Sequence, residues 1–352
     1  MLRKILEVLE GAKQTRRIQL SGGSTYIISL PKNWVENLKI KVGDNITIVK
    51  NSNQSMTLFA KEQNTDQEKA IAIIPTSQKE RGESIKRKII AAYLRGYNTI
   101  QIKSKGMRIL PEHSRSIREL VRSNMIGTEI VESSSEQITV QILTRLPELS
   151  FETALKRMYL MSTNMVTESI ESIEEVDVSH AEEVVNMDDE VDRFGLYMRR
   201  NLGLAVENEN ILQDMGLRKP SDCLGYRAII SRIERIADHA ALIAKRTKFI
   251  EKKFDAKTMN KIKKLSENSL EVFKESISAV QTHDFEKGEK VAEKVEKIIE
   301  EEKQIMSKIS KSDENSTIIR FVLEDIRRIS EYSSDIAEVA IDENIHNIVL
   351  EK

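Results

Sequence analysis

Asp188 and Asp192 stand four residues apart, and so do Glu234 and Asp238. In a helix that spacing places both members of a pair on one face. Like charges there repel, at a cost of about a few tenths of a kcal/mol. Each pair also borders an apolar seam, where a desolvated carboxylate without a partner costs more. A cation held between the pairs reverses the sign, since carboxylate oxygens suit Mg, Mn, Fe and Zn. The competing reading is a solvated acidic face neutralised by Arg193 and Arg235. No nucleophile, general base or anion-binding loop accompanies the carboxylates, which argues against a hydrolase and against an enzyme generally. His239 follows Asp238 and is either a nitrogen ligand or a capped or surface histidine. Met158, Met161 and Met165 read as core filler. Cys223 stands alone and carries no assigned role.

The elements that must position these carboxylates are long helices. From residue 151 strand signals vanish and apolar seams of alternating three and four spacing take over. One seam is Val184, Met187, Val191, Phe194 and Met198; another is Ile229, Ile233, Ile236, Ala240 and Ile243. Later seams run Val291, Val295, Ile298, Ile305, Ile309 and Ile319, Val322, Ile326, Ile329, Ile336. The segment from Glu171 aligns without gaps to the segment from Glu275, and IERIADHAALIAK from Ile233 matches IRRISEYSSDIAE from Ile326. This predicts two copies of a three-helix unit, 151–250 and 257–350, packed as a six-helix body. On that alignment Ala292 and Glu296 stand opposite Asp188 and Asp192, and Arg327 and Glu331 opposite Glu234 and Asp238. An Arg opposes a cation, so the second copy lacks an equivalent acidic site.

The front of the chain has another character. Residues 16–60 read as short strands (RRIQLS, TYIISL, NITIVK, SMTLFA) punctuated by Gly22-Gly23 and Gly43-Asp44, with a short helix starting at Pro31. Trp34 is expected to anchor its small core. Such a unit is too small to hold a core alone, so obligate pairing is expected. Residues 65–150 suggest a compact α/β module: helix ESIKRKIIAAYLRG, strand TIQIKS, helix HSRSIRELVRSNM, then strands TEIVES and QITVQIL. It shows no phosphate loop, triad spacing or metal cluster.

Charge divides at the same place. Residues 1–150 carry 24 Lys+Arg against 15 Asp+Glu, a net +9, and residues 151–352 carry 31 against 41, a net −10. A basic front suits a polyanion such as nucleic acid, and an acidic rear suits cations or basic partners. A chain of 352 residues exceeds one hydrophobic core and predicts an α+β multidomain protein. The domains are 1–64, 65–150 and 151–352. One cysteine fits a reducing cytoplasm. No apolar run is as long as the roughly 20 residues that span a bilayer. A cytoplasmic location without membrane insertion is expected.

Two resemblances sharpen this reading. The duplicated unit with acidic pairs, above all Arg232-Ile233-Glu234-Arg235-Ile236-Ala237-Asp238-His239-Ala240, resembles the PhoU family of phosphate-uptake regulators. The resemblance implies two three-helix bundles, metal held by E/D-x-x-x-D motifs, and action on a phosphate transporter and its signalling partner. The motif carries over to Glu234 and Asp238, and then to Asp188 and Asp192. The segment RRIQLSGGSTYIISLPKNWVENLKIKVGDNITIVK resembles the AbrB/SpoVT swapped-hairpin DNA-binding domain through Leu30-Pro31 and Gly43-Asp44. That implies a homodimer of interleaved hairpins placing basic side chains on DNA, with Lys13, Arg16, Arg17, Lys32, Lys39 and Lys41 as candidates. Together they imply a DNA-binding regulator of phosphate uptake. The alternative is a regulator working only by contact with a transporter or kinase, its front serving dimerisation.

Overall fold

Gly22 and Gly23 both adopt positive φ, at 62° and 79°. Side chains with a Cβ resist that conformation. The two glycines turn β1 (Gln19–Ser21) back on β2 (Thr25–Ile27), with Leu20 opposite Tyr26. Pro31 then caps the short helix α1 (Lys32–Asn37), and a second hairpin pairs β3 (Thr47–Lys50) with β4 (Met56–Phe59). In this computed structural model the described residues are 14–50, 55–59, 71–106, 108–143, 150–310, 314–345 and 348–349. The chain divides into two units, Met1–Glu68 and Lys69–Lys352. Among the described residues of the first, many apolar side chains lie in the open: Leu20, Tyr26, Ile28, Leu38 and Ile48 are all more than half exposed. Trp34 is half-buried.

The second unit begins with a sheet the sequence only partly announces. Strands β5 (Ala72–Thr76), β6 (Thr99–Ser104), β7 (Thr128–Ser133) and β8 (Gln137–Ile142) lie in the order β5-β6-β8-β7. Only β5 and β6 are parallel, and α2 (Gly82–Leu94) makes the crossover between them. Pro75 interrupts strand β5 and hides it from the residue pattern, and an edge strand tolerates the lost donor. Alternation puts Ile74, Ile100, Ile102, Ile138 and Val140 on one face, against Ile85, Ile89 and Tyr93 of α2 and Ile117, Leu120 and Val121 of α3 (Pro111–Asn124).

Among the described residues six long helices follow: α4 (Phe151–Glu175), α5 (Val178–Glu207), α7 (Asp222–Arg246), α8 (Ala256–Thr282), α9 (Phe285–Ser307) and α10 (Ser316–Asn344). A one-turn-and-a-half helix α6 (Glu209–Asp214) sits between α5 and α7. The expected seams are the core: Ile233, Ile236, Ala240 and Ile243 are fully buried, as are their matches Ile326, Ile329, Ser333 and Ile336. Each buried Ile of this kind contributes about 1.5–3 kcal/mol. Among the described residues no helix is long and apolar enough to cross a membrane.

The repeat is real, but its gapless alignment is three positions out. Val176 and His283 each end their first helix in the left-handed region, at φ 57° and 50°. Asp177 and Asp284 then cap the next helix, Asp177 accepting the N–H of Ser179 and Asp284 that of Lys287. These landmarks place Asp188 and Asp192 opposite Val295 and Ile299, not Ala292 and Glu296. A slip of three positions returns to the same helix face, so seam spacing cannot detect it, whereas the caps can.

Candidate functional site

Helices α5 and α7 pack along their length, and the two acidic pairs meet where they face. Asp188 is half-buried, and desolvation, with Asp238 and Asp192 nearby, pushes its carboxyl up to about 6. Asp192 keeps its outer edge in solvent, yet burial of its inner side and the charge of Asp238 push it up too. Glu234 is 9% exposed, and burial raises it to about 7 against the opposing pull of Arg199. The residues predicted from spacing are thus brought together across two helices.

Arginines share this site. Arg199 Nη2 lies 2.8 Å from Glu234 Oε1, a charge contact without hydrogen-bond alignment, so that enclosed oxygen has no hydrogen bond. Asp188 Oδ1 is also enclosed, with no hydrogen-bond partner among the described residues. Arg235 pairs with Asp238 at 3.2 Å, as the solvated reading expects, but Arg193 turns to Glu190 at 3.5 Å. His239 stays out of the cluster, its Nδ1 2.8 Å from Asp325 Oδ1 on α10. Among the described residues no three His, Cys, Asp or Glu side chains converge closely enough to hold a metal in this arrangement. What fits a cation is the donor chemistry: hard oxygens, two of them without a hydrogen bond, and three carboxyls, Asp188, Asp192 and Glu234, that burial makes harder to ionise.

Two residues of the site went unrecognised in the sequence, Gly195 and Arg199. A Cβ at Gly195 would lie 2.1 Å from Glu234 Oε1, so glycine makes the room that carboxylate occupies. The signal was present: 188, 192, 195 and 199 follow one another at 4-3-4 spacing on one helix face. In the second repeat Arg327 forms ion pairs with Glu331 and, at 3.5 Å, with Glu324, which neutralises that position internally.

The basic candidates of the first unit are all exposed where described: Arg16, Arg17, Lys32, Lys39 and Lys41. Lys32 lies 3.7 Å from Glu36, and Lys39 takes a positive φ of 54° just after α1. Lys13 lies outside the described residues.

Family patterns agree with both halves of this layout. The PhoU domain matches residues 155–247 and again 262–340. The chain belongs to the PhoU family. The starts of the two PhoU matches, 155 and 262, are offset by the same interval as the two left-handed helix ends, Val176 and His283. As a member, the protein is a regulator of phosphate homeostasis. The pattern described as antidote-toxin recognition MazE, bacterial antitoxin, matches residues 19–80, so the PhoU repeats carry a front domain of the swapped-hairpin type. The chain is similar to the phosphate transport system regulatory protein PhoU from Streptococcus pneumoniae, at 18% identity over 57% of this chain and 96% of that one, with a TM-score of 0.48. Similarity to PhoU from Pseudomonas aeruginosa is 15% over 56% and 96%, with a TM-score of 0.46. No curated protein matches the chain.

Proposed function

We propose that this PhoU-family protein is a cytoplasmic homodimer that regulates phosphate uptake by binding DNA through its front hairpins. The observation that carries the reading is the first unit itself. Its apolar side chains, Leu20, Tyr26, Ile28 and Ile48 among them, are exposed beside exposed basic ones. Burying such residues against a second copy is worth about 1.5–3 kcal/mol each, enough to make pairing obligatory. Pairing doubles Arg16, Arg17, Lys32, Lys39 and Lys41 on one body, which suits a polyanionic duplex. The MazE-type match over 19–80 supports the same reading.

In the helical body, Asp188, Asp192, Glu234 and Asp238 would hold a Mg, Mn, Fe or Zn ion, Glu234 exchanging its contact with Arg199 for the metal. The ion supplies positive charge and cross-links α5 to α7. The chain's own residues do the rest. Gly195 leaves space for the Glu234 carboxylate. Further along α5, Leu196 packs into the α/β module's core and Arg200 reaches its backbone. Residues of α5 would thus tie the acidic pairs to the module, so that a bound cation would restrain the helix on which that module rests.

Genomic sites bound in phosphate-replete and phosphate-starved cells test the proposal. It expects discrete sites beside phosphate-uptake genes, with occupancy that changes on starvation. Uniform background along the genome would reject DNA regulation and leave contact with a transporter or kinase as the mode of action.

A further inference from the structure

Helix α3 carries Arg115, Arg118 and Arg122, all exposed. Spacings of three and four align them on one face, and a rise of about 1.5 Å per residue spreads them over about 10 Å. They line a concavity of about 510 Å³ whose walls all come from α3. Among the described residues no carboxylate lies within ion-pair distance of the three; Arg118 donates only to Ser133 Oγ at 3.3 Å. Glu119 lines the same concavity, but its carboxylate is 3.9 Å from Lys86 of the neighbouring helix. The module as a whole is basic, with 12 Lys+Arg against 7 Asp+Glu over residues 71–143.

Three unneutralised guanidiniums in a row repel one another unless an anion sits over them. A concavity walled by one helix cannot enclose the roughly 70–90% of its surface that a small ligand normally buries. A protein partner would want apolar anchors at the centre of its footprint. Among the described residues neither α2 nor α3 exposes a large apolar side chain. A row of fork-shaped donors without an apolar centre suits the phosphate backbone of a duplex.

We propose that the α3 face of the α/β module is a second DNA-backbone contact, with Arg115, Arg118 and Arg122 each neutralising a phosphate. The inference rests on the DNA-binding reading of the front unit and gives the α/β module a role in it. These contacts carry no sequence information; they add affinity and fix orientation.

The test uses the full chain and a labelled 40-base-pair duplex of mixed sequence, with affinity followed across a salt series. Arg115→Gln, Arg118→Gln and Arg122→Gln combined should flatten the slope of log affinity against log salt by about 2.7 per engaged subunit. The matching triple Lys variant, which keeps the charge, should restore most of it. The substitutions lie on an exposed face, and an unchanged far-ultraviolet circular dichroism spectrum checks that the fold survives. An unchanged slope in the Gln variant, with Arg16→Ala and Arg17→Ala still flattening it, overturns this inference and leaves the front-unit reading standing. A parent chain without salt-dependent binding overturns both. Equal displacement of the duplex by polyglutamate at matched charge assigns the face to acidic protein partners and also counts against the proposal.

Discussion

Gly195 on α5 stands so close to Glu234 on α7 that a methyl group at 195 would lie 2.1 Å from Oε1 and 2.8 Å from Cδ. The obstructing atoms belong to the end of a flexible side chain, so Gly195→Ala should displace the Glu234 carboxylate rather than prevent folding. Overpacking of this kind costs about 1–3 kcal/mol. Denaturant unfolding should show that loss, and cation stabilisation should weaken with it. An alanine variant as stable and as cation-responsive as the parent would remove Gly195 from the site.

Cation binding should raise the melting temperature of the helical body, by the equivalent of about 2.7 kcal/mol at a hundredfold excess over Kd. Chelator should lower it. Glu234→Gln with Asp238→Asn should abolish both responses, while leaving the metal-free protein at least as stable because carboxylate repulsion is relieved. A parent whose melting ignores chelator and added Mg, Mn, Fe and Zn would leave the four carboxylates as a charged face.

Stability of the metal-free chain should fall as pH rises. Asp188 and Glu234 bind protons more tightly folded, at about 6 and 7, than their ordinary values of 3.8 and 4.5. The folded state therefore holds extra protons between those limits. This contribution is complete below about pH 4 and is lost as pH passes 6 and then 7. Chemical denaturation at pH 5 and pH 8, with chelator, reads the sign, and a rise in stability over that range would contradict it.

Arg200 is 4% exposed and crosses from α5 into the α/β module. Its guanidinium donates to the backbone carbonyls of Tyr93 and, at 3.3 Å, Gly96, and to Asn98 Oδ1 at 2.7 Å, while stacking 4.7 Å from the Tyr93 ring centre. Arg200→Ala removes all three hydrogen bonds and the ring contact at once, leaving the buried Gly96 carbonyl without this donor, at a cost of about 3 kcal/mol. Hydrogen exchange should show the loss first in α2 and β6. Unchanged protection there would mean that the module is held elsewhere.

The sequence showed what repeats at short range and missed what long-range packing decides. Seams such as Ile233, Ile236, Ala240 and Ile243 were readable because helical period and burial coincide. The four-residue spacing of the two acidic pairs was readable from helical period alone. Their arginine was not: Arg199 meets Glu234 from another helix, far along the chain. Arg200 reads as one more solvated charge, and its acceptors lie in a different module altogether. Strand β5 was hidden by Pro75, which only an edge position permits. The three-position slip between repeats needed Val176 and His283 in their left-handed conformations to be seen.

Retention of the full-length chain on duplex DNA across a salt series tests the central claim most directly. If paired front units neutralise about six phosphates, log affinity should fall against log salt with a slope at least as steep as about −5. Arg16→Ala with Arg17→Ala should weaken binding to every sequence. Affinity that ignores salt, or binding unchanged in that double variant, would contradict the account.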